Sequence, residues 1–249
     1  MIGKNRHAAC NSFYRGTIPR TDFHMHSEFS ECSSDTSIEK NVSKAQSVGL
    51  EKIAITDHGL NYTPNWIKSY FRKIEEVRKW NGVDILTGIE CDIDSEGQHV
   101  LSSEVLDDFD VVIGAIHNLP SYKPSGDRFT YLPHEERVLE EYRREVLSAL
   151  SSGWMKILAH PTDVGWGKIL IPDNIQEEVA SALSRSNVAV EINFHHKDPT
   201  ISLLEKCVSH DVLLTPVSDA HNLNEIGRLE WHWSIVSKLR AERILWLTL

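Results

Sequence analysis

The sequence has few cysteines and no long apolar run. Its 249 residues include only four cysteines, which are too few and too widely separated for a secreted disulfide framework: Cys10, Cys32, Cys91 and Cys207. We therefore expect reduced thiols. No stretch approaches the length of a transmembrane helix, and the first twenty residues contain no continuous apolar segment of a signal peptide. These absences predict a cytoplasmic protein without membrane contact.

Positive charge is also scarce. The chain has 26 Lys and Arg against 36 Asp and Glu, a formal net charge of −10. This balance repels polyanions and disfavours, without excluding, binding to extended nucleic acid. The sequence also lacks a Gly-x-Ser-x-Gly nucleophile elbow and a glycine-rich phosphate-binding loop. Nothing in the composition indicates an oligomeric state.

Seven short apolar runs alternate with helical patterns. Strands are predicted near residues 21–26, 52–57, 84–90, 111–117, 155–160, 188–193 and 212–219, and helices near 37–48, 65–80, 102–108, 134–151, 174–186, 200–209 and 223–238. The alternation predicts right-handed βα units in a parallel sheet, and seven units suggest a closed α/β barrel. We expect one domain over residues 19–249, preceded by an N-terminal arm at 1–18.

Side chains that bind metals recur where these runs end. In a strand, the period of two sends His24 and His26 to the same face. The C-terminal ends of strands in a parallel barrel meet on one face, so residues far apart in sequence can form one site there. The candidate ligands are His24, His26, His58, Glu90, His117, His160, Asp219 and His221.

This mixture of imidazoles and carboxylates suits Zn²⁺, Mn²⁺ or Fe²⁺, whereas Mg²⁺ and Ca²⁺ favour oxygen ligands alone. Eight side chains exceed the needs of one tetrahedral ion, and Glu90 can bridge two ions, so we expect two or three divalent metals. Clustered ions lower the pKa of bound water and stabilise charge on attacking and leaving oxygens, which suits phosphate ester hydrolysis. A hydroxide bridging the metals would then be the nucleophile.

The same residues resemble the motifs of the polymerase and histidinol phosphatase (PHP) family. Asp-x-His-x-His, Thr-Asp-His, Gly-x-Glu, a strand-end His, Ala-His-Pro and Ser-Asp-Ala-His occur in this order between about residues 20 and 240. One such motif is a weak signal, whereas six in order with strand contexts are specific. The resemblance implies a distorted seven-stranded, TIM-like (β/α)7 barrel with its metal site at the C-terminal ends of the strands.

The resemblance also implies how the ligands are shared. One metal would be held by His24, His26, Glu90 and Asp219, and a second by Glu90, His117 and His160, so that Glu90 bridges the pair. Asp22 and Asp57 would orient neighbouring histidines rather than bind metal.

A third metal would use His58, His221 and the residue six positions after His26, which is usually His or Asp in the family. Here that residue is Cys32. A thiolate is a good zinc ligand, but Glu31 or Asp35 could take its place, or the third site could be empty.

The function expected from the resemblance is metal-dependent hydrolysis of a small phosphomonoester. Glu28-Phe29-Ser30 resembles stand-alone histidinol phosphatases, whereas residues 88–93 resemble the domain attached to family-X DNA polymerases. The relatives of that second kind act as 3′-to-5′ exonucleases or 3′-phosphoesterases and commonly carry Gly-Arg where this chain has Asp163-Val164. A different alternative is a metal-binding module that has lost catalysis, for which Cys32 is the one sequence hint.

Among these residues, we expect Glu90 and Asp219 to serve catalysis through the metals. His195 and His196 follow the sixth predicted strand, and His196 in particular could protonate a leaving group or bind phosphate, although both could be solvated loop residues. Asn193 and several cations are weaker candidates for substrate contacts: Lys123, Arg128, Lys168, Lys197 and Arg228.

Overall fold

Seven parallel strands, each followed by a helix, form the frame of the molecule. The computed structural model describes residues 20–60, 64–122, 135–165, 167 and 169–246. The strands are β1 (Thr21–Asp22), β2 (Lys52–Gly59), β3 (Asp84–Asp92), β4 (Val111–Ala115), β5 (Ile157–Leu158), β6 (Ala189–Asn193) and β7 (Leu214–Val217). The helices are α1 (Ile38–Ser47), α2 (Ile67–Val77), α3 (Ser103–Leu106), α4 (Glu135–Ser152), α5 (Asp173–Ser186), α6 (Ile201–Ser209) and α7 (Glu230–Leu239), followed by a 3₁₀ turn at Glu242–Ile244.

The sheet curls until its two edge strands meet. The strands are neighbours in sequence order from β1 to β7, and every neighbouring pair is parallel. Beyond β1 and β7, Met25 pairs with Ala220, and the Asp219 amide donates to the His24 carbonyl over 2.8 Å. The strands therefore form a nearly closed barrel, which confirms the predicted (β/α)7 fold.

The core follows from the alternation of side chains along the strands. On β2, Ala54 belongs to a small cluster inside the barrel, whereas Ile53 and Ile55 pack into the layer of helices outside it. The inner cluster is built largely from small and β-branched residues, together with Phe23, whose ring meets Trp246 edge-on at 5.6 Å. Side chains fill the barrel interior, so the site lies above the strands rather than within a channel.

The strands that carry ligands are shorter than their apolar runs. β1 ends at Asp22, β5 at Leu158 and β7 at Val217. Just beyond them, His160 and Asp219 have φ angles of 25° and 51°, which no strand can accommodate. The backbone turns at these points and presents the ligand side chains to the barrel mouth.

The last helix begins later than the sequence pattern indicates. The helical pattern covers residues 223–238, but α7 starts at Glu230. Asn222 accepts a hydrogen bond from the Asn224 amide through its side chain, and Gly227 has a φ of +76°, so this segment forms turns instead. The predicted N-terminal arm at 1–18 lies outside the described residues. Within the described ranges, no helix is both long enough and apolar enough to cross a membrane.

Candidate metal centre

Glu90, on β3, lies at the centre of the site, with imidazoles on both sides of its carboxylate. Its side chain is 1% exposed. Oε1 lies 3.4 Å from His117 Nε2 and 3.2 Å from His160 Nε2. Oε2 lies 2.8 Å from His58 Nδ1, 3.4 Å from His24 Nε2 and 3.7 Å from His26 Nε2. The two oxygens thus face two separate groups of nitrogens, which is the arrangement that a bridging ligand requires.

Asp219 forms the opposite wall. Its Oδ1 lies 3.0 Å from His26 Nε2 and 3.4 Å from His24 Nε2, and the three side chains form a buried group of candidate ligands. His24 Nε2 and Glu90 Oε2 are buried without a hydrogen-bond partner. Such orphaned atoms are costly in a protein interior unless a cation or another polar partner meets them. The donor set and these orphaned atoms fit bound divalent metal.

Hydrogen bonds on the side away from Glu90 fix the ring orientation of two histidines, His24 and His117. The Nδ1 atom of His24 donates to Glu191 Oε1 over 2.7 Å, and that of His117 donates to Asp92 Oδ1 over 2.6 Å. Both rings therefore carry a proton on Nδ1 and turn Nε2 towards Glu90. Hydrogen bonds of this kind set the tautomer and raise the basicity of metal-binding histidines.

Asp57 reaches His26 through a serine. Its Oδ1 accepts a 2.6 Å hydrogen bond from Ser30 Oγ, and Ser30 Oγ in turn lies 3.1 Å from His26 Nδ1. Because the serine proton is engaged by Asp57, the imidazole must donate to Ser30. Asp22 contacts no histidine ring; it accepts from the Ser218 amide over 2.9 Å and joins β1 to the end of β7.

A third group lies at the rim and contains the only sulfur among the candidate ligand groups of the described chain. Cys32, His26, His58 and His221 place ligand atoms within 4.8 Å of one another. Burial raises the pKa of Cys32, but hydrogen bonds with His221 and His58 outweigh it and lower that pKa to about 7. The structure thus places the Cys32 thiol beside His58 and His221.

His196 lies beside the metal ligands. Its Nδ1 donates to Asp163 Oδ2 over 2.5 Å, and its Nε2 lies 3.3 Å from Asp219 Oδ2. Although burial opposes the charge, Asp163 and Asp219 raise the pKa of His196 to about 10. The ring is 19% exposed and lies against the Asp219 carboxylate.

The centre is strongly electronegative. Although burial opposes ionisation, the neighbouring imidazoles His58, His24 and His117 hold the pKa of Glu90 well below its usual range. Conversely, Glu90 raises the pKa of His58 to about 11 in spite of burial. A divalent cation held by these side chains would balance the negative charge of the two carboxylates, Glu90 and Asp219.

Several other candidates lie away from the centre. His195 donates to Glu225 Oε1 over 3.0 Å and stacks on His221. Lys197 turns away from the site, because its Nζ donates to the Phe194 carbonyl and lies 3.1 Å above the Phe194 ring. Lys123, Arg128 and Lys168 lie outside the described residues.

Glu191 is the main residue that the sequence analysis missed. It is fully buried on β6, and besides His24 it accepts from the His160 amide over 3.3 Å and from Asn193 Nδ2 over 2.9 Å. Asn193 Nδ2 also donates to Asp219 Oδ2 over 3.0 Å. The available signal was a single carboxylate inside the apolar run Val190-Glu191-Ile192, since a buried strand rarely holds an unpaired charge. Asp92, two residues after Glu90 on the same face of β3, was accessible by the same reasoning.

Known proteins resemble this chain in sequence. The PHP domain family matches residues 22–195. A probable phosphatase from Caldicellulosiruptor bescii is 30% identical over 82% of this chain and 80% of its own length. A probable phosphatase from Shewanella amazonensis is 28% identical over 86% of this chain and 82% of its own length.

Solved structures share the fold. A histidinol phosphate phosphatase from Lactococcus lactis, crystallised with zinc, L-histidinol and phosphate, superposes with a TM-score of 0.70 at 22% identity, covering 92% of this chain and 95% of that one. A putative histidinol phosphatase from Listeria monocytogenes gives a TM-score of 0.65 at 14% identity, covering 84% of this chain and 97% of that one.

Proposed function

Because the chain belongs to the PHP domain family of phosphoesterases, we propose that it hydrolyses a small phosphomonoester, of the histidinol phosphate type, with divalent metals held by the residues around Glu90. The observation that carries the proposal is the Glu90 carboxylate, which has five imidazole nitrogens within 2.8–3.7 Å divided between its two oxygens. The cytoplasmic location expected from the sequence stays a prediction.

The candidate ligands around Glu90 form two groups, each of which would hold one metal. Glu90 Oε2 would act with His24, His26 and Asp219, and Glu90 Oε1 with His117 and His160. Bound there, divalent ions would lower the pKa of water and supply positive charge for the phosphoryl oxygens. Zinc, manganese and iron all suit these donors.

His196 is the proton donor of the proposed reaction. As the P–O bond to the alcohol breaks, the leaving oxygen requires a proton, and the His196 ring holds one beside the centre. Asp163 fixes this ring through Nδ1 and so turns Nε2 towards Asp219, one of the residues that would hold the metals. Asp163 in turn lies in a loop held by Thr162, whose hydroxyl and amide both donate to the buried Asp198.

The proposed activity is tested by phosphate release from protein reconstituted with Mn²⁺ or Zn²⁺. Histidinol phosphate, a 3′-phosphorylated nucleotide and single-stranded DNA serve as parallel substrates. We expect turnover of the small phosphomonoester alone. Cleavage of DNA or of the nucleotide alone would move the function to the nuclease branch, and metal binding without turnover of any phosphoester would indicate a non-catalytic module.

The role of His196 is tested by its dependence on the leaving group. His196→Asn should lower kcat by roughly 100-fold or more for an alkyl phosphate, because general acid catalysis contributes about 10²–10⁴. For p-nitrophenyl phosphate, whose phenolate leaves without a proton, the loss should be small. Equal losses on both substrates would contradict the assignment and indicate a binding role.

A further inference from the structure

The loop that carries Cys32 is tied to both sides of the third ligand group. On one side, the Asp57 carboxylate accepts from the Ser27 amide over 2.7 Å and from the Ser27 and Ser30 hydroxyls over 2.6 Å each. On the other side, the Ser34 amide donates to the His221 carbonyl over 3.0 Å. Asp57 precedes His58 in the chain. The loop is therefore fixed to the two strand ends that supply the neighbouring imidazoles.

Within this frame the thiol faces imidazole nitrogens of His58 and His221. His221 Nδ1 donates to the Asp219 carbonyl over 2.8 Å, which leaves Nε2 for the Cys32 side. The carboxylate of Asp35, an alternative ligand, accepts from the Leu223 amide over 2.9 Å and so joins the Cys32 loop to the segment after His221. Among the described residues, the candidate group at this place consists of His26, Cys32, His58 and His221 and includes neither Glu31 nor Asp35.

The two halves of the centre therefore differ in chemistry. Around Glu90 the donors are imidazole nitrogens and carboxylate oxygens, which accept manganese, iron or zinc, whereas a thiolate adds a strong preference for soft ions. We propose that the site formed by Cys32, His58 and His221 selects a thiophilic divalent ion such as zinc over manganese, so that the enzyme carries one metal of fixed identity beside an exchangeable pair. The inference rests on the metal centre of the proposed function.

Sulfur ligation is tested by zinc-edge X-ray absorption of the zinc-loaded full chain. All samples carry Cys10→Ser, so that Cys91 and Cys207, both buried, are the other remaining thiols. We expect a Zn–S distance of about 2.3 Å beside Zn–N and Zn–O distances of about 2.0–2.2 Å. Cys32→Asp should lose the sulfur contribution. A spectrum without sulfur, or sulfur that persists in Cys32→Asp, overturns the proposal.

Selectivity is tested by competition. Protein is equilibrated with a large excess of Mn²⁺ over a buffered trace of Zn²⁺, and bound metals are counted by mass spectrometry. The chain with Cys32 should retain about one zinc, and the zinc-over-manganese preference should fall by roughly 10- to 100-fold or more in Cys32→Asp, as expected when a directly bound group is replaced. Cys32→Ser, which removes the charge as well, should lose the retained zinc. An unchanged preference in both variants overturns the proposal.

These readouts are independent of turnover. A chain that shows sulfur ligation and zinc retention but hydrolyses no phosphoester would overturn the proposed function and leave the selective site standing. An active phosphatase without sulfur ligation would do the reverse.

Discussion

Glu191 is a buried carboxylate that touches no candidate metal position and still orients two ligands. Its Oε1 accepts from His24 Nδ1, and its Oε2 accepts from the His160 amide and from Asn193. In Glu191→Gln one of these oxygens becomes an NH₂ group. If that group replaces Oε2, it faces two donors. If it replaces Oε1, His24 must move its proton to Nε2, the atom that faces Glu90.

Either orientation of the new amide disturbs one candidate metal ligand. Metal affinity should fall because that ligand loses the carboxylate that oriented it. Removing a carboxylate that holds a metal-binding histidine lowers metal affinity by about 10- to 100-fold. This corresponds to about 1.4–2.8 kcal/mol of binding free energy. Because the amide and the carboxylate have nearly the same shape, we expect packing around Ile192 and Val190 to persist.

The assay is a titration of metal-free protein with Zn²⁺ against a chromophoric chelator. Glu145→Gln is the matched control, because the Glu145 side chain is also 0% exposed, has an unpartnered oxygen and lies on the outer helix α4. We expect weaker binding in Glu191→Gln and unchanged binding in Glu145→Gln. Wild-type affinity in Glu191→Gln, or the same loss in both variants, would refute the reasoning.

Two further outcomes are expected. Glu90→Gln removes the bridging carboxylate and should abolish turnover and lower metal content while the circular dichroism spectrum is retained; near-normal turnover would contradict this. Burial lowers the pKa of His232 to about 4 in the folded protein, whereas a histidine in the unfolded chain has a pKa near 6.5. Between these two pH values the unfolded state binds more protons than the folded state. The free energy of unfolding therefore falls as the pH is lowered. Between pH 7 and pH 5 this costs about 2 kcal/mol. In urea unfolding, wild type should lose that much more stability than His232→Gln, and parallel losses would disprove it.

The fold and the family could be predicted from the sequence because both depend on patterns of residues close together in the chain. Seven apolar runs gave seven strands, and the family and phosphoesterase class follow from motifs at their ends. Period two placed His24 and His26 on one face. In the structure β1 has already ended at Asp22, yet the two rings lie 5.1 Å apart and both meet Asp219. The segment that carries His24 and His26 runs between the ends of β2 and β7. Contacts with these two strand ends hold it in the alignment that a strand would have given.

The supporting contacts could not be predicted in the same way, because they join residues that no local pattern connects. Glu191 meets His24 across 167 positions. The route from Asp57 through Ser30 to His26 depends on how the loop after His26 folds, and that loop has no period. The position of Cys32 depends on the same fold. A motif identifies the type of ligand, but the tautomer and orientation of that side chain are set by partners elsewhere in the chain.

The contact between the two edges of the barrel also has a consequence for folding. His26 and Asp219, 193 positions apart, lie across the place where β1 and β7 approach. A metal held by both would clasp the first and last parts of the barrel. Because closing so long a loop costs conformational entropy, we expect this contact to form late in folding. Such an ion would bind the closed barrel and favour it by mass action, so the concentration of metal would set the stability of the closed form.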